Sequence, residues 1–211
     1  MIYVFIPYWH EDTPEFKKSL ESQTFKKYIV IRRNRKASKI LWTEAVNDFY
    51  KECKRWCGTK DDDVICIMNN DIEFDENLFD EVSKIKNYVW YSEGVAIDWK
   101  NKKFYIVPSV SLSFIGHCFA MTLGDFKKSG GFCKYLPHAL ADIDYGLKVT
   151  KKYGACLLDS YVYHKEHDYE PTSIWSWRNY KNPIVWTIFL LKNPNRYTLL
   201  NILKAWYDAF R

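Results

Sequence analysis

Residues 64–73 decide the fold: they read VICIMNNDIE and change from apolar to polar at Asn69. Five apolar residues without alternation are typical of a strand that is buried on both faces, as strands of parallel sheets are. Asp71 and Glu73 follow at alternate positions, so an extended backbone would place both carboxylates on one face. Two carboxylates beside a phosphate site hold Mg²⁺ or Mn²⁺. The same residues also suit a polar turn with an aspartate helix cap, and the sequence leaves both interpretations open.

The first half of the chain alternates between strand and helix patterns. The predicted elements are a strand over residues 2–6 closed by Pro7, a helix from Pro14, a strand over 28–31, a helix over 40–56, the strand 64–68 and a helix over 77–85. This order predicts a parallel sheet with right-handed crossovers. Ligands of such sheets bind beyond the carboxyl ends of the strands, so residues 7–10, 32–36 and 69–73 should line the site.

The second half predicts a mixed arrangement. Strands are expected over residues 88–97, 103–107, 114–122 and 155–163, and helices over 123–129 and 143–153. Asp142 and Asp144 open the last helix, where carboxylates act as caps or where one of them serves as a general base. His164 follows the last strand and can be a surface residue, a metal ligand or a phosphate contact. Because these groups follow strands of one predicted sheet, as Asp71 does, the fold should bring them together.

Composition sets the broad class. The chain has 211 residues, 47% of them hydrophobic and 27% charged, which is typical of a folded globular protein. Its net charge of +5 is too small to indicate nucleic-acid binding by itself. Residues 26–43 hold seven basic and no acidic residues, and residues 61–81 hold nine acidic and no basic residues. This pairing suits an anionic ligand held with a metal ion, and it also suits two solvated faces of opposite charge.

No targeting or membrane-spanning segment is expected. The first residues lack the basic and apolar regions of a secretory signal, and the longest apolar stretch, residues 184–191, is far short of the ~20 residues of a span. The six cysteines have no zinc-site spacing. We therefore expect a cytoplasmic protein, with a peripheral position at a membrane as the alternative.

The C-terminal part has a composition of its own. We expect residues 1–170 to form the sheet-containing domain and residues 171–211 to form an aromatic, basic, helical extension packed on it. Basic, tryptophan-rich segments of this kind can lie on an anionic membrane, which would occur through residues 174–211. Helices packed on the sheet and a homodimer contact are the other interpretations.

Four segments together resemble the family 2-type nucleotide-sugar glycosyltransferases of the GT-A fold. In chain order they are IPY at 6–8 with SLESQT at 19–24, IMNNDIEF at 67–74, residues 116–121 with GGF at 130–132, and DIDYGL at 142–147 with VYH at 162–164. The resemblance implies an α/β fold: a Rossmann-like, mixed, mainly parallel central sheet flanked by helices, with a helical C-terminal extension. It also implies a hexosyltransferase-like enzyme that moves a sugar, with inversion, from a nucleoside-diphosphate sugar to a hydroxyl of a protein, glycan or lipid-linked acceptor.

The resemblance also implies roles for particular residues. Asp71, Glu73 and His164 would hold a divalent cation, Mn²⁺ or Mg²⁺. Asp142 would be the general base, with Asp144 as a second catalytic carboxylate. The residues that would bind the donor are Pro7, Tyr8, His10, Arg32, Asn34, Lys39, Asn69 and Asn70.

The chain departs from the family pattern at the end of its second strand. Arg32, Arg33 and Asn34 stand where the family carries carboxylates that contact the nucleoside, and Ala141 replaces the acidic neighbour of Asp142. A competing interpretation is a non-catalytic nucleotide- or nucleic-acid-binding module that uses the basic patch from Arg32 to Lys39; it predicts steep salt dependence and no need for a metal. A nucleotidyltransferase is disfavoured because no glycine-rich phosphate loop follows the first strand.

Overall fold

The computed structural model describes residues 1–56, 58–98, 103–107, 109, 111, 113–164, 175–176, 179, 182–194, 200, 202–203 and 206–207. The elements in chain order are β1 (Ile2–Tyr8), α1 (Pro14–Ser22), β2 (Tyr28–Asn34), α2 (Arg35–Ser38), α3 (Trp42–Cys53), β3 (Val64–Met68), β4 (Ile72–Phe74), α4 (Leu78–Ser83), β5 (Val89–Tyr91), β6 (Gly94–Asp98), β7 (Lys103–Val107), β8 (Ser113–Phe114), β9 (Cys118–Thr122), α5 (Leu123–Lys128), α6 (Ala141–Tyr153), β10 (Ala155–Leu157), β11 (Val162–His164) and α7 (Pro183–Lys192).

The central sheet has six strands in the order β10-β5-β9-β3-β1-β2. Strand β1 lies parallel to β2 and β3, whereas β9 runs antiparallel to both β3 and β5, and β10 lies parallel to β5. All five residues of β3 are buried, as their unbroken apolar run predicts. The predicted class, a mixed and mainly parallel sheet flanked by helices, is confirmed.

Both faces of the sheet are covered by apolar helix surfaces. Successive residues of β1 alternate between the faces: Val4 and Ile6 pack with Phe16 of α1, whereas Phe5 stacks on Phe49 of α3 at 4.1 Å between ring centroids. Helix α1 begins as predicted, with Pro14 in its first turn and the Thr13 hydroxyl accepting from the Phe16 N–H.

The first two strands are longer than predicted, and Pro7 does not close β1. Pairing of β1 with β3 ends at Phe5, but pairing with β2 continues to Tyr8 opposite Asn34. Beyond Phe5 no β3 residue needs a hydrogen bond from this part of β1, so proline can be tolerated there. Residues 32–34 therefore belong to β2, and the predicted loop after them begins as helix α2, which the Asn34 side chain caps.

Three predicted strands are each divided in two. The segment 88–97 gives β5 and β6, the segment 114–122 gives β8 and β9, and the segment 155–163 gives β10 and β11. The second pieces of the first and last segments leave the central sheet and form small antiparallel sheets, β7-β6-β8 and β11-β4. The breaks leave Glu93, His117 and His164 at or beside the ends of short strands, close to the end of β3.

Helix α7 represents the C-terminal extension among the described residues. Its side chains Val185, Trp186, Phe189 and Leu190 belong to the same buried cluster as Phe5. Much of the remaining extension lies outside the described residues, and the boundary near residue 170 stays a prediction. None of the helices in the described ranges combines the length and apolar character that crossing a bilayer requires.

Candidate active site

Asp71 and His164 meet although 93 positions separate them in the sequence. Asp71 lies between β3 and β4, and the antiparallel pairing of β4 with β11 sets His164 opposite Ile72. This register brings His164 Nε2 within 3.4 Å of Asp71 Oδ2. Both side chains are mostly buried, so the Asp71 carboxylate and the His164 imidazole are held against each other at the carboxyl end of β3.

His117 joins this pair, and the sequence analysis did not identify it. Its ring stacks on the ring of His164, with centroids 3.7 Å apart and planes 11° apart. Its Nδ1 lies 3.1 Å from Glu93 Oε2, and its carbonyl oxygen accepts from the Asn69 N–H at 2.9 Å. His117 directly precedes β9, which runs antiparallel to β3, so it lies beside the end of β3. No signal in the sequence marked this position, because the predicted strand 114–122 placed His117 in its interior.

Asp142 lies in the first turn of α6, against the backbone of Gly116, the residue that precedes His117. Its Oδ2 accepts from the Gly116 N–H at 2.8 Å, and its Oδ1 accepts from the Ile143 N–H at 2.9 Å. Burial raises the pKa of Asp142, although the two N–H donors and the nearby His117 act in the opposite direction. A Cβ at position 116 would lie 3.1 Å from the Asp142 Cβ, so glycine permits this close approach.

Asp144, the other predicted catalytic carboxylate, contacts different partners. Two residues along a helix correspond to a rotation of roughly 200°, so Asp144 leaves α6 on the side away from Asp142. The buried carboxylate pairs with Lys192 and accepts from the Asn193 side chain at 3.1 Å. It therefore links α6 to the end of α7, and the structure does not bring it to the Asp71–His164 pair.

These contacts predict a structural effect for Asp144. We expect Asp144→Asn to lower the free energy of unfolding by about 1–2 kcal/mol, because the charge that Lys192 contacts is lost. Because Asp144 has this structural role, any catalytic turnover of the parent protein should persist in the variant. Urea unfolding and a turnover assay measure the two effects, with Asp159→Asn on an exposed side chain as the matched control. A stable variant with greatly reduced turnover would contradict this assignment.

The predicted donor-binding residues fall into two groups. The first surrounds Asn70, whose side-chain nitrogen donates to the His10 carbonyl at 2.9 Å and to Asp12 Oδ1 at 3.3 Å. Asp12 in turn receives both terminal nitrogens of Arg32, at 2.7 and 2.6 Å. This network joins the ends of β1, β2 and β3, and it matches the charge of Arg32 with a buried carboxylate.

The second group follows the ends of β1 and β2. The Arg35 guanidinium donates to the Pro7 carbonyl at 2.9 Å, and Asn34 caps α2 through the Ala37 N–H. Lys39 ends α2 with a φ of 53° and is exposed, and Tyr8 is half-buried. These residues border the edge at which Asn69 and Asn70 follow β3.

Glu73 lies in β4 between the buried residues Ile72 and Phe74. It is exposed and, with Asp71 and Tyr163, lines a cavity of about 150 Å³. Across the described ranges, no three His, Cys, Asp or Glu side chains are arranged to ligate a metal together. The pair Asp71–His164 is therefore the part of the predicted ligand set that the fold brings into contact.

Comparisons with known proteins identify the fold. No family model matches the chain, and no curated protein matches it in sequence. The crystal structure of GalNAc-T7 with UDP, GalNAc and Mn²⁺ superposes with a TM-score of 0.64 at 14% identity, over 99% of this chain and 54% of that one. The mannosyltransferase PcManGT from Pyrobaculum calidifontis, in complex with GDP-Man and Mn²⁺, gives 0.50 at 12% identity, over 99% and 74%.

These likenesses show that the chain has the GT-A fold of these glycosyltransferases. The chain spans about half the length of the GalNAc-T7 chain and about three quarters of the PcManGT chain. Membership of family 2 in particular stays a prediction.

Proposed function

We propose that this protein is a metal-assisted glycosyltransferase that moves a sugar from a nucleoside-diphosphate sugar to an acceptor hydroxyl. The observation that carries the proposal is the convergence of Asp71, His164 and Asp142 around His117 at the carboxyl edge of the sheet. Sheets of this kind bind ligands at that edge. Both structural neighbours are named as complexes with a uridine or guanosine diphosphate compound and Mn²⁺, which supports the same ligand class here.

The Asp71–His164 pair fits a divalent cation. Among the described residues, no hydrogen bond reaches the buried Nε2 of His164, which faces Asp71 Oδ2. An imidazole nitrogen and a carboxylate oxygen both suit Mn²⁺, and cations in nucleotide sites commonly take one or two carboxylates together with substrate phosphates. Two protein ligands are therefore consistent with a site that a diphosphate completes. A bound cation would neutralise the charge that develops on the leaving diphosphate.

Asp142 is suited to remove the proton of the acceptor. Its two carboxylate oxygens are held by backbone N–H groups, which fixes their direction. Burial raises its pKa toward the working pH, and a base is most effective when its pKa lies near that pH. As the acceptor oxygen attacks the anomeric carbon, its proton passes to Asp142 and the diphosphate departs. A single displacement of this kind inverts the configuration of that carbon.

The network around Asn70 supplies the framework of the donor site. We place the diphosphate beside Asn69 and Asn70 and the nucleoside along Pro7, Tyr8 and His10, with Asn34 and Lys39 at the rim. Arg32 is engaged by Asp12, so its contribution is to hold the loop after β1 against Asn70. Because Asp12 holds Arg32, we expect the exposed residues at the ends of β1 and β2 to select the nucleobase of the donor.

The competing nucleic-acid-binding function has less support from the geometry. Two of the arginines of the basic patch are ion-paired, Arg32 with Asp12 and Arg33 with Glu52. These pairs reduce the positive charge that the patch can offer to phosphates. A turnover assay with a nucleotide sugar distinguishes the two functions. A transferase turns over the sugar with Mn²⁺ and loses this activity when a chelator is added. A nucleic-acid-binding module shows no turnover and only salt-dependent binding of nucleic acid.

His117 is expected to position the metal ligand. His117→Ala removes the ring that packs on His164 and the contact with Glu93, so we expect Mn²⁺ affinity to fall by about 10–100-fold. Mn²⁺ titration followed by electron paramagnetic resonance measures this loss without any turnover. His117→Phe keeps a stacked ring and should recover part of the affinity. Unchanged affinity in His117→Ala would remove His117 from this role.

A further inference from the structure

The positive charge of the protein is concentrated at one end of the chain. Residues 171–211 contain six basic residues and one acidic residue, so they carry the whole net charge of +5. The other 170 residues contain equal numbers of basic and acidic side chains. A segment with this charge is attracted to an anionic partner, and it repels a second copy of itself.

The same segment exposes large apolar side chains. Those exposed among its described residues are Trp175, Ile184, Leu191, Leu200, Leu203 and Tyr207, and we name this set the C-terminal surface. Leu191, Leu200 and Leu203 are 66%, 65% and 58% exposed, which is high for leucine in a folded protein. The Trp206 indole donates to the Thr187 hydroxyl of α7 at 3.1 Å, and the Trp175 ring lies 6.1 Å from the Trp206 ring, so these parts of the segment lie against one another. Exposed apolar groups that lie near one another mark an interaction site.

Helix α7, which carries two residues of this surface, is packed firmly against the core. Its buried residues Val185, Trp186 and Phe189 face the core, whereas Ile184 and Leu191 lie two turns apart on its outer side. The contacts of Lys192 and Asn193 with Asp144 fasten the end of α7 to α6. The outward leucines are therefore not needed for the packing of α7.

We propose that the C-terminal surface docks on an anionic lipid bilayer. The apolar side chains would enter the boundary between headgroups and acyl chains, and the net positive charge of the segment would attract it to anionic headgroups. The charge favours this occupant over a second copy of the chain, which would bring two segments of +5 together. The docking does not depend on the proposed activity; if that activity holds, docking favours an acceptor linked to a lipid.

Vesicle sedimentation tests this proposal without donor or metal. The purified protein should sediment with vesicles of phosphatidylglycerol and phosphatidylcholine in equal parts, should stay in solution with pure phosphatidylcholine, and should be released by high salt. The triple variant Leu191→Glu, Leu200→Glu, Leu203→Glu should partition about tenfold less or weaker still. The control is Ile29→Glu, Tyr105→Glu, Ile106→Glu, which adds the same charge at exposed apolar sites elsewhere and should bind nearly as the parent does.

Three results would overturn the proposal. The parent protein could fail to sediment with anionic vesicles, or the control could lose binding as fully as the C-terminal variant. Sedimentation velocity could instead show a dimer that the C-terminal variant abolishes, with no vesicle binding, which would assign this surface to a homodimer. None of these results depends on sugar transfer, so the glycosyltransferase proposal would stand or fall separately.

Discussion

Replacing Asp142 by asparagine should lower sugar-transfer turnover by about 10²–10⁴-fold, the range that a positioned base contributes. The amide keeps the size of the side chain and can still accept one of the two backbone N–H groups, but it cannot take the acceptor proton. Binding of Mn²⁺ with a nucleoside diphosphate should stay unchanged, because Asp142 is not part of the Asp71–His164 contact. Single-turnover kinetics and calorimetric titration measure the two quantities.

Two comparisons sharpen the test of Asp142. Asp144→Asn removes the same charge from the same helical turn and should retain turnover, since Asp144 contacts α7. The parent enzyme should lose activity as the pH falls through the pKa of Asp142, because the protonated carboxyl cannot act as a base. Burial places that loss at a higher pH than for an exposed aspartate. Turnover of Asp142→Asn close to that of the parent protein would show that another group removes the proton.

Replacing Asp71 by alanine should lower Mn²⁺-dependent donor affinity by roughly 10²-fold, because one of the two proposed protein ligands is lost. His164→Ala should act similarly, since it removes the other member of the contact. Calorimetry with UDP and with GDP, each with and without Mn²⁺, measures the metal-dependent part.

Glu73→Gln is the matched comparison for the metal site. Glu73 follows Asp71 by two residues but is exposed within β4, so its loss should weaken Mn²⁺-dependent binding much less. Equal losses for Glu73→Gln and Asp71→Ala would assign Glu73 to the cation as a full ligand. If metal-dependent binding survived in both Asp71→Ala and His164→Ala, the cation would not bind at these two residues.

The sequence predicted those parts of the fold that depend on local pattern. An unbroken apolar run identified β3 to the residue, and Pro14 identified the start of α1. It also predicted that Asp71 and His164 lie close together, but it expected His164 to follow a strand of the central sheet, whereas the contact forms through the separate β11-β4 sheet. These features follow from the order of the strands and from the chemistry of helix caps, and both can be recognised in one amino-acid sequence.

The parts that it did not predict depend on contacts between distant segments. Nothing in residues 114–122 shows where that extended run divides, yet the division leaves His117 at the edge of the sheet beside His164. Asp142 and Asp144 are equivalent as acidic residues in a first helical turn. Only the rotation of α6 against β8 and α7 decides that Asp142 contacts the Gly116 N–H beside His117 and that Asp144 contacts Lys192.

An anomalous difference map at the manganese edge, from crystals grown with Mn²⁺ and UDP or GDP, tests the proposed cation site most directly. One peak is expected in contact with the Asp71 carboxylate and His164 Nε2, with the diphosphate against Asn69 and Asn70. A nucleoside diphosphate bound with Mn²⁺ at any other place, away from both side chains, would contradict the proposal.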